Sequence, residues 1–89
     1  MHITIYLKTG EITLELRSGK KIVDRVIFPE DRSVSEQLLP QLDKLLKKNK
    51  LEAQDVEKFA LQSEIPESYT TYRVAKAIVE GINIAKRLS

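Results

Sequence analysis

Apolar and polar residues alternate over three short runs at the start of the chain. Ile3, Ile5 and Leu7 share one face of a predicted strand over His2–Leu7. Ile12, Leu14 and Leu16 do the same over Glu11–Arg17. The third run, Lys21–Phe28, supplies Ile22, Val23, Val26, Ile27 and Phe28, with Asp24-Arg25 breaking the alternation. Its doubled apolar pairs predict a bulge, or a strand covered on both faces. Lys8-Thr9-Gly10 and Ser18-Gly19-Lys20 read as tight turns, so the three runs form an antiparallel meander.

The period then changes from two to about 3.6 residues. After a polar connection over Pro29–Arg32, Ser33 and Glu36 fit a capping box. They open a helix that reaches about Asn49. Leu38, Leu39, Leu42, Leu45 and Leu46 make one apolar stripe on it. Pro40 lies inside this helix and removes one backbone donor. Lys44, Lys47, Lys48 and Lys50 crowd its C-terminal end, where cations complement the helix dipole. Leu51–Asp55 is a short connection, Glu57–Gln62 a fourth strand bearing Phe59 and Leu61, and Ser63–Ser68 a loop around Pro66. A last helix runs from about Tyr69 to Leu88. The order is β-β-β-α-β-α, an α/β fold in a single domain over residues 1–89, with two helices packed on one face of the sheet.

The last helix carries more apolar surface than one sheet face requires. At about 100° per residue, Arg73, Lys76, Glu80, Asn83 and Arg87 occupy one narrow side. Apart from Lys86, apolar or small residues fill the remainder. Ala75, Ile78, Val79 and Ile82 fall in one part of that arc; Val74, Ala77, Gly81, Ile84 and Leu88 fall in another. Ala77 and Gly81, four residues apart, would admit a close helix. The candidate partner interface is therefore Leu38, Leu42 and Leu45 on the first helix with Val74, Ala77, Ile78, Gly81, Ile84, Ala85 and Leu88 on the second. Packing within the chain against the leucine stripe is the competing account.

Composition narrows the chemistry. The 89 residues suffice for one small core. The absence of cysteine removes disulfides, thiolate metal sites and cysteine nucleophiles. Fifteen basic residues stand against thirteen acidic ones, mostly interspersed, for a net charge of +2. A dedicated nucleic-acid binder concentrates its basic residues more than this. No signal peptide and no membrane-length apolar span is visible, so a soluble cytoplasmic protein is expected.

Candidate reactive groups are few. His2, the only histidine, sits on a strand opposite the apolar face, without an evident partner for acid–base work. Asp24, Glu30 and Asp31 lack the ligand spacing of a calcium loop. Pro66-Glu67-Ser68-Tyr69-Thr70-Thr71-Tyr72-Arg73-Val74-Ala75 is a turn running into a helix, the outline of a phosphate loop. It contains no glycine, and close backbone approach to a phosphate needs one. Ser68 and Thr70 read as helix caps, since no histidine lies in the second half to act as their base. The sequence therefore predicts no cofactor, no metal and no catalytic residue.

Two blocks carry a family resemblance. Ser35-Glu36-Gln37-Leu38-Leu39-Pro40 resembles the His-Ser-Glu-x-Leu-Leu-Pro segment of the bacterial TsaB (YeaZ) family. Ile65-Pro66-Glu67-Ser68-Tyr69-Thr70-Thr71-Tyr72-Arg73-Val74-Ala75 resembles that family's Gly-Pro-Gly-Ser-Phe-Thr-Gly-Leu-Arg-Ile-Gly segment. Pro66, Ser68, Tyr69, Thr70 and Arg73 make up the degenerate loop motif. The resemblance implies one half of a ribonuclease H-like, actin-like ATPase fold. It also implies a non-catalytic scaffold in tRNA threonylcarbamoyladenosine modification. Such a scaffold would bind a TsaD-type subunit through its two helices and meet tRNA only indirectly. Val34 stands where the family has histidine, and Ile65, Glu67 and Thr71 stand where it has glycine. Tyr6-Leu7-Lys8-Thr9-Gly10 replaces an Asp-Thr-Ser turn. These departures argue against nucleotide binding. They leave open a stand-alone half-domain that forms a homodimer through the same helices.

Overall fold

The computed structural model describes residues 1–30 and 34–88, with Val34, Ser35, Arg87 and Leu88 described by backbone alone. Strands β1 (His2–Lys8), β2 (Glu11–Ser18) and β3 (Lys21–Pro29) precede helix α1 (Val34–Lys48). A 3-10 turn over Ala53–Asp55, strand β4 (Lys58–Ser63) and helix α2 (Thr70–Leu88) follow. The sheet order is β3-β2-β1-β4. The first three strands form the predicted antiparallel meander, and β4 lies parallel to β1. The predicted cap Ser33 and the second half of the Pro29–Arg32 connection, Asp31 and Arg32, lie outside the described residues; Pro29 itself closes β3.

The two-residue period of β1 and β2 sends every large apolar side chain to one face. Ile3 opposes Leu16, Ile5 opposes Leu14 and Leu7 opposes Ile12. All six are at most 1% exposed. Phe28 from β3, Phe59 from β4, Leu38, Leu42 and Leu45 from α1, and Ala75 and Val79 from α2 complete the core. Both helices thus cover the same face. Each turn is set by a glycine: Gly10 has φ +78° and Gly19 has φ +61°, a region that costs other L-residues energy.

The irregularity expected in the third run is present. Between Leu16 and Arg17 the register slips, leaving Val23 as the extra residue on β3. The alternative, burial of β3 on both faces, does not occur. It is an edge strand, and Ile22, Val23 and Ile27 remain 40%, 40% and 55% exposed. The α1 stripe is also narrower than predicted. Leu38, Leu42 and Leu45 are buried and Leu46 is half-buried, but Leu39 is 49% exposed. Leu39 lies about 100° from Leu38 around the helix, which turns it off the sheet.

The end of α1 is organised by contacts that the sequence does not announce. The Leu51 N–H donates to the Leu46 carbonyl at 2.9 Å, and the Lys50 N–H to the Lys47 carbonyl at 3.0 Å. This is a Schellman closure, with Lys50 in the left-handed position at φ +57°. In the same turn, Asp24 of β3 ties strand to helix. Its carboxylate accepts from Asn49 Nδ2 at 3.0 Å and from the Arg25 N–H at 2.8 Å. Lys48 Nζ stands 3.3 Å away. The Asn49 hydrogen bond, with the Arg25 N–H and Lys48 behind it, holds the Asp24 carboxyl below its ordinary pKa.

Two outcomes follow for stability. Lys50→Gly should stabilise the chain by about 1 kcal/mol, because glycine avoids the left-handed penalty; urea denaturation at neutral pH checks it. Asp24→Ala should destabilise by about 1–2 kcal/mol at neutral pH. Since folding depresses this pKa, the contribution is present above the unfolded carboxyl range and lost as pH falls through the folded value. Denaturation curves of the two proteins should therefore converge in acid and diverge at neutrality.

Candidate docking surface on the helix pair

Helix α2 is amphipathic, but its buried side is narrow. Ala75 and Val79 are buried against the sheet, while Val74, Ile78 and Ile82 are half-buried. Asn83 Nδ2 donates to the Phe59 carbonyl of β4 at 3.1 Å, and Lys86 Nζ lies 5.6 Å from the centre of the Phe59 ring. These contacts fix the rotation of α2 about its axis. Tyr72, Asn83 and Lys86 flank the buried line. The opposite part of the arc, with Ala77, Gly81, Ile84 and Ala85, faces away from the sheet.

The structure divides the predicted interface residues into two sets. Leu38, Leu42 and Leu45 are 0%, 3% and 1% exposed and already fill the core, so none is available to a partner. This corrects their assignment: the first helix spends its apolar face on its own sheet. Val74 and Ile78 are shared between core and surface. Ala77, Gly81, Ile84 and Ala85 are exposed, Ile84 by 52%. The side chain of Leu88 lies outside the described residues. Packing against α1 covers only part of the predicted arc.

A further surface residue joins this set. Lys48 of α1 reaches Asp24 of β3, so that flank of α1 faces β3. Leu39 and Leu46 lie on the other flank, about 160–180° away from Lys48, and α1 also packs against α2. Leu39 is therefore a further exposed apolar residue, on the flank of α1 away from β3. Its exposure was hidden in the sequence because a helical stripe shows which residues are neighbours, not where the neighbouring helix ends.

Gly81 is the one glycine outside a turn. A Cβ built on it meets nothing within 4 Å, and its φ is ordinary. Among the described residues, no contact demands glycine there. Ala77, Gly81 and Ala85 form a row of small residues at spacing four, the row that lets two helices approach closely.

The loop leading into α2 is tied down by side chains. Ile65 is only 6% exposed and plugs the core from below. Ser63 Oγ accepts from the Ile65 N–H at 3.1 Å and donates to the Ile65 carbonyl at 3.0 Å. Tyr72 Oη donates to Glu67 Oε1 at 3.3 Å, and Thr71 Oγ1 donates to Glu30 Oε1 at 3.1 Å. The first α2 bond runs from the Arg73 N–H to the Tyr69 carbonyl at 3.2 Å, so Tyr69 takes the cap position. Among the described residues, the side chains of Ser68 and Thr70 make no hydrogen bond, which corrects their reading as caps. Pro66 and Arg73 are exposed. The Glu30 carboxylate brings negative charge to the first turn of α2, the place where a phosphate would need positive potential.

Other predicted groups are dispersed. His2 is half-buried on the uncovered sheet face. Asp24 and Glu30 are engaged by different elements, and Asp31 lies outside the described residues. No cluster of three metal-ligating side chains is found among the described residues. No helix there is long and apolar enough to cross a membrane.

No protein-family model matches the sequence, and no curated protein matches it closely enough to count as a relative. The fold does have counterparts. YeaZ from Pseudomonas aeruginosa superposes with a TM-score of 0.77 at 21% identity, over 98% of this chain and 41% of that one. A second structure, of an uncharacterized protein with similarity to peptidase YeaZ from Pseudomonas aeruginosa, gives the same TM-score and identity over 98% and 40%. At this identity the likeness establishes the fold. The chain spans about two-fifths of the length of these neighbours.

The glycine makes a direct prediction. Gly81→Ala should stabilise the isolated chain by roughly 0.5–1 kcal/mol, because alanine loses less backbone entropy in a helix and its methyl meets open space. Thermal unfolding of the two proteins measures it.

Proposed function

We propose that this chain is a non-catalytic, TsaB-like scaffold of the cytoplasm. In this reading it binds a TsaD-type subunit of tRNA threonylcarbamoyladenosine modification through its helix pair and meets tRNA only indirectly. The observation that carries the reading is the exposed row Ala77, Gly81, Ile84 and Ala85 on α2, with Leu39 exposed on α1. It is an apolar surface with small residues at the contact spacing and a glycine that no contact among the described residues requires. Two motif blocks resembling the TsaB family, and the fold shared with about two-fifths of YeaZ, support this reading.

The chemistry of α2's entry favours a scaffold over a nucleotide-binding half. Ile65, Glu67 and Thr71 replace three glycines of the family loop. Ile65 is committed to the core, and Glu30 adds negative charge where phosphate would bind. A second reading uses the same surface. The small-residue row is compatible with a twofold α2–α2 contact between two copies, because ridges at spacing four pack on ridges at spacing four.

Co-purification with a TsaD-type subunit tests the first reading. The wild-type chain should be retained at one to one. Gly81→Arg and Ile84→Asp should each abolish retention while leaving the unfolding midpoint within a few degrees. Undiminished capture of both variants would overturn the helix contact. Sedimentation separates the second reading: dimers that dissociate in the same variants, without a TsaD-type protein present, belong to self-association.

A further inference from the structure

The sheet face away from the helices carries a small hollow that the helix-pair reading does not use. Tyr6, Thr13 and Ile27 stand side by side across β1, β2 and β3. Each alternates with core residues along its strand, so all three belong to the reverse face. With Lys8, Glu15 and Arg25 they line a space of about 220 Å³. Thr13, on the middle strand of the three, lies under it, with Tyr6 to one side and Ile27 to the other. Glu15 and Arg25, opposed across β2 and β3, close one end. Lys8 and Glu11, opposed across β1 and β2, close the other.

Charge is unevenly met at the Arg25 end. Glu15 has two guanidinium neighbours: Arg17 Nε holds Oε1 closely, whereas Arg25 Nε stands 3.7 Å from Oε2. One carboxylate thus answers two cations, and the nearer cation takes the larger share of it. The Arg25 side chain is 49% exposed, and its long contact with Glu15 engages Nε alone. Its two Nη groups, the fork that matches a carboxylate or phosphate, have no acceptor among the described residues. Beside this fork Ile27 keeps 55% of its surface in water.

The openness of the hollow is a property of its own side chains. It lies two strands away from β4, where α2 rests on Phe59 through Asn83 and Lys86, and on the opposite face. An apolar layer laid over it would strip water from Lys8, Glu11 and Arg25, a cost that only new polar partners offset. A small ligand with one charged head meets that condition, and an apolar helix does not.

From this arrangement we infer that the hollow binds a small oxyanion with a short apolar body, the carboxylate or phosphate ester of a compact ring. The head accepts paired N–H donors from the outward edge of Arg25. The body lies over Thr13, between the Tyr6 ring and Ile27, and covers apolar surface on both sides. Lys8 at the far end is offset by Glu11 opposite it, so Arg25 is the cation that selects the ligand. The site uses the other face of the sheet from the helix pair and stands apart from the scaffold reading above.

Backbone amide shifts of the full chain, followed by NMR as benzoate, phenyl phosphate or inorganic phosphate is added to about 20 mM, test the site. Benzoate and phenyl phosphate should move the Tyr6, Thr13 and Arg25 amides along saturable curves, and the tighter of the two identifies the head group. Inorganic phosphate, which lacks the body, should bind more weakly. Neutral benzamide should leave these amides in place. Arg25→Gln should raise the dissociation constant about tenfold, and Arg25→Lys, which keeps the charge without the fork, by less. Ile27→Ser should weaken the two ring-bearing probes and leave inorganic phosphate unchanged. Amides that stay unmoved by both ring-bearing oxyanions overturn the inference. So does binding that Arg25→Gln leaves intact, or shifts confined to the lysine-rich end of α1. Should Arg25→Gln lose its fold, benzamide decides: binding equal to that of benzoate overturns the assignment of the head.

Discussion

One-sidedness of the sheet governs the rest of this molecule. The alternation in β1 and β2 places Ile3, Ile5, Leu7, Ile12, Leu14 and Leu16 on one face and leaves Thr4, Thr13, Glu15 and Arg17 on the other. An apolar face two strands wide must be roofed, and both helices are drawn to it. The reverse face is left to polar side chains. There Glu15, 6% exposed, lies between the guanidinium groups of Arg17 and Arg25, the latter at 3.7 Å. The Glu15 carboxylate raises the pKa of Arg17 by hydrogen bonding and charge. Long side chains lying over the sheet shield this carboxylate.

Because both helices share one roof, neither can bury a full stripe without constraint from the other. Helix α1 is anchored at its C-terminal end by Asp24 and Asn49, which fixes its flank toward β3. Helix α2 is anchored by Asn83 and Lys86 over Phe59, which fixes its rotation toward β4. The apolar arc left over on α2 follows from these two anchors. It faces outward because the sheet has no more width to offer.

The elements were legible in the sequence because their periods are clean, and their bounds differ from expectation by one or two residues. The bulge in β3 was legible from its doubled apolar pairs. What escaped depends on long-range geometry. Nothing local distinguishes Leu39 from Leu38 until the position of α2 is known. The role of Asp24 requires Asn49, a residue far along the chain, to arrive beside it. Lys50 occupies a left-handed position that usually signals itself by glycine, and lysine hides it. The missing loop glycines were visible directly, but the use made of Ile65 as a core plug was not. The candidate surface was half legible: the small residues of α2 were marked out by spacing, whereas the leucines of α1 were assigned to a partner though the chain itself needs them.

The parallel partnership of β1 with β4 has a consequence for biosynthesis. His2 aligns with Lys58, so the strand made first waits for one made after more than half the chain. At about 5–20 residues per second, a ribosome takes several seconds to bridge that interval. The meander can form during the wait, with the greasy side of β1 and β2 roofed only in part, by α1, until α2 has been threaded out. Nascent chains of this topology are therefore sticky for seconds, and trigger-factor-like holdases have a defined window in which to act.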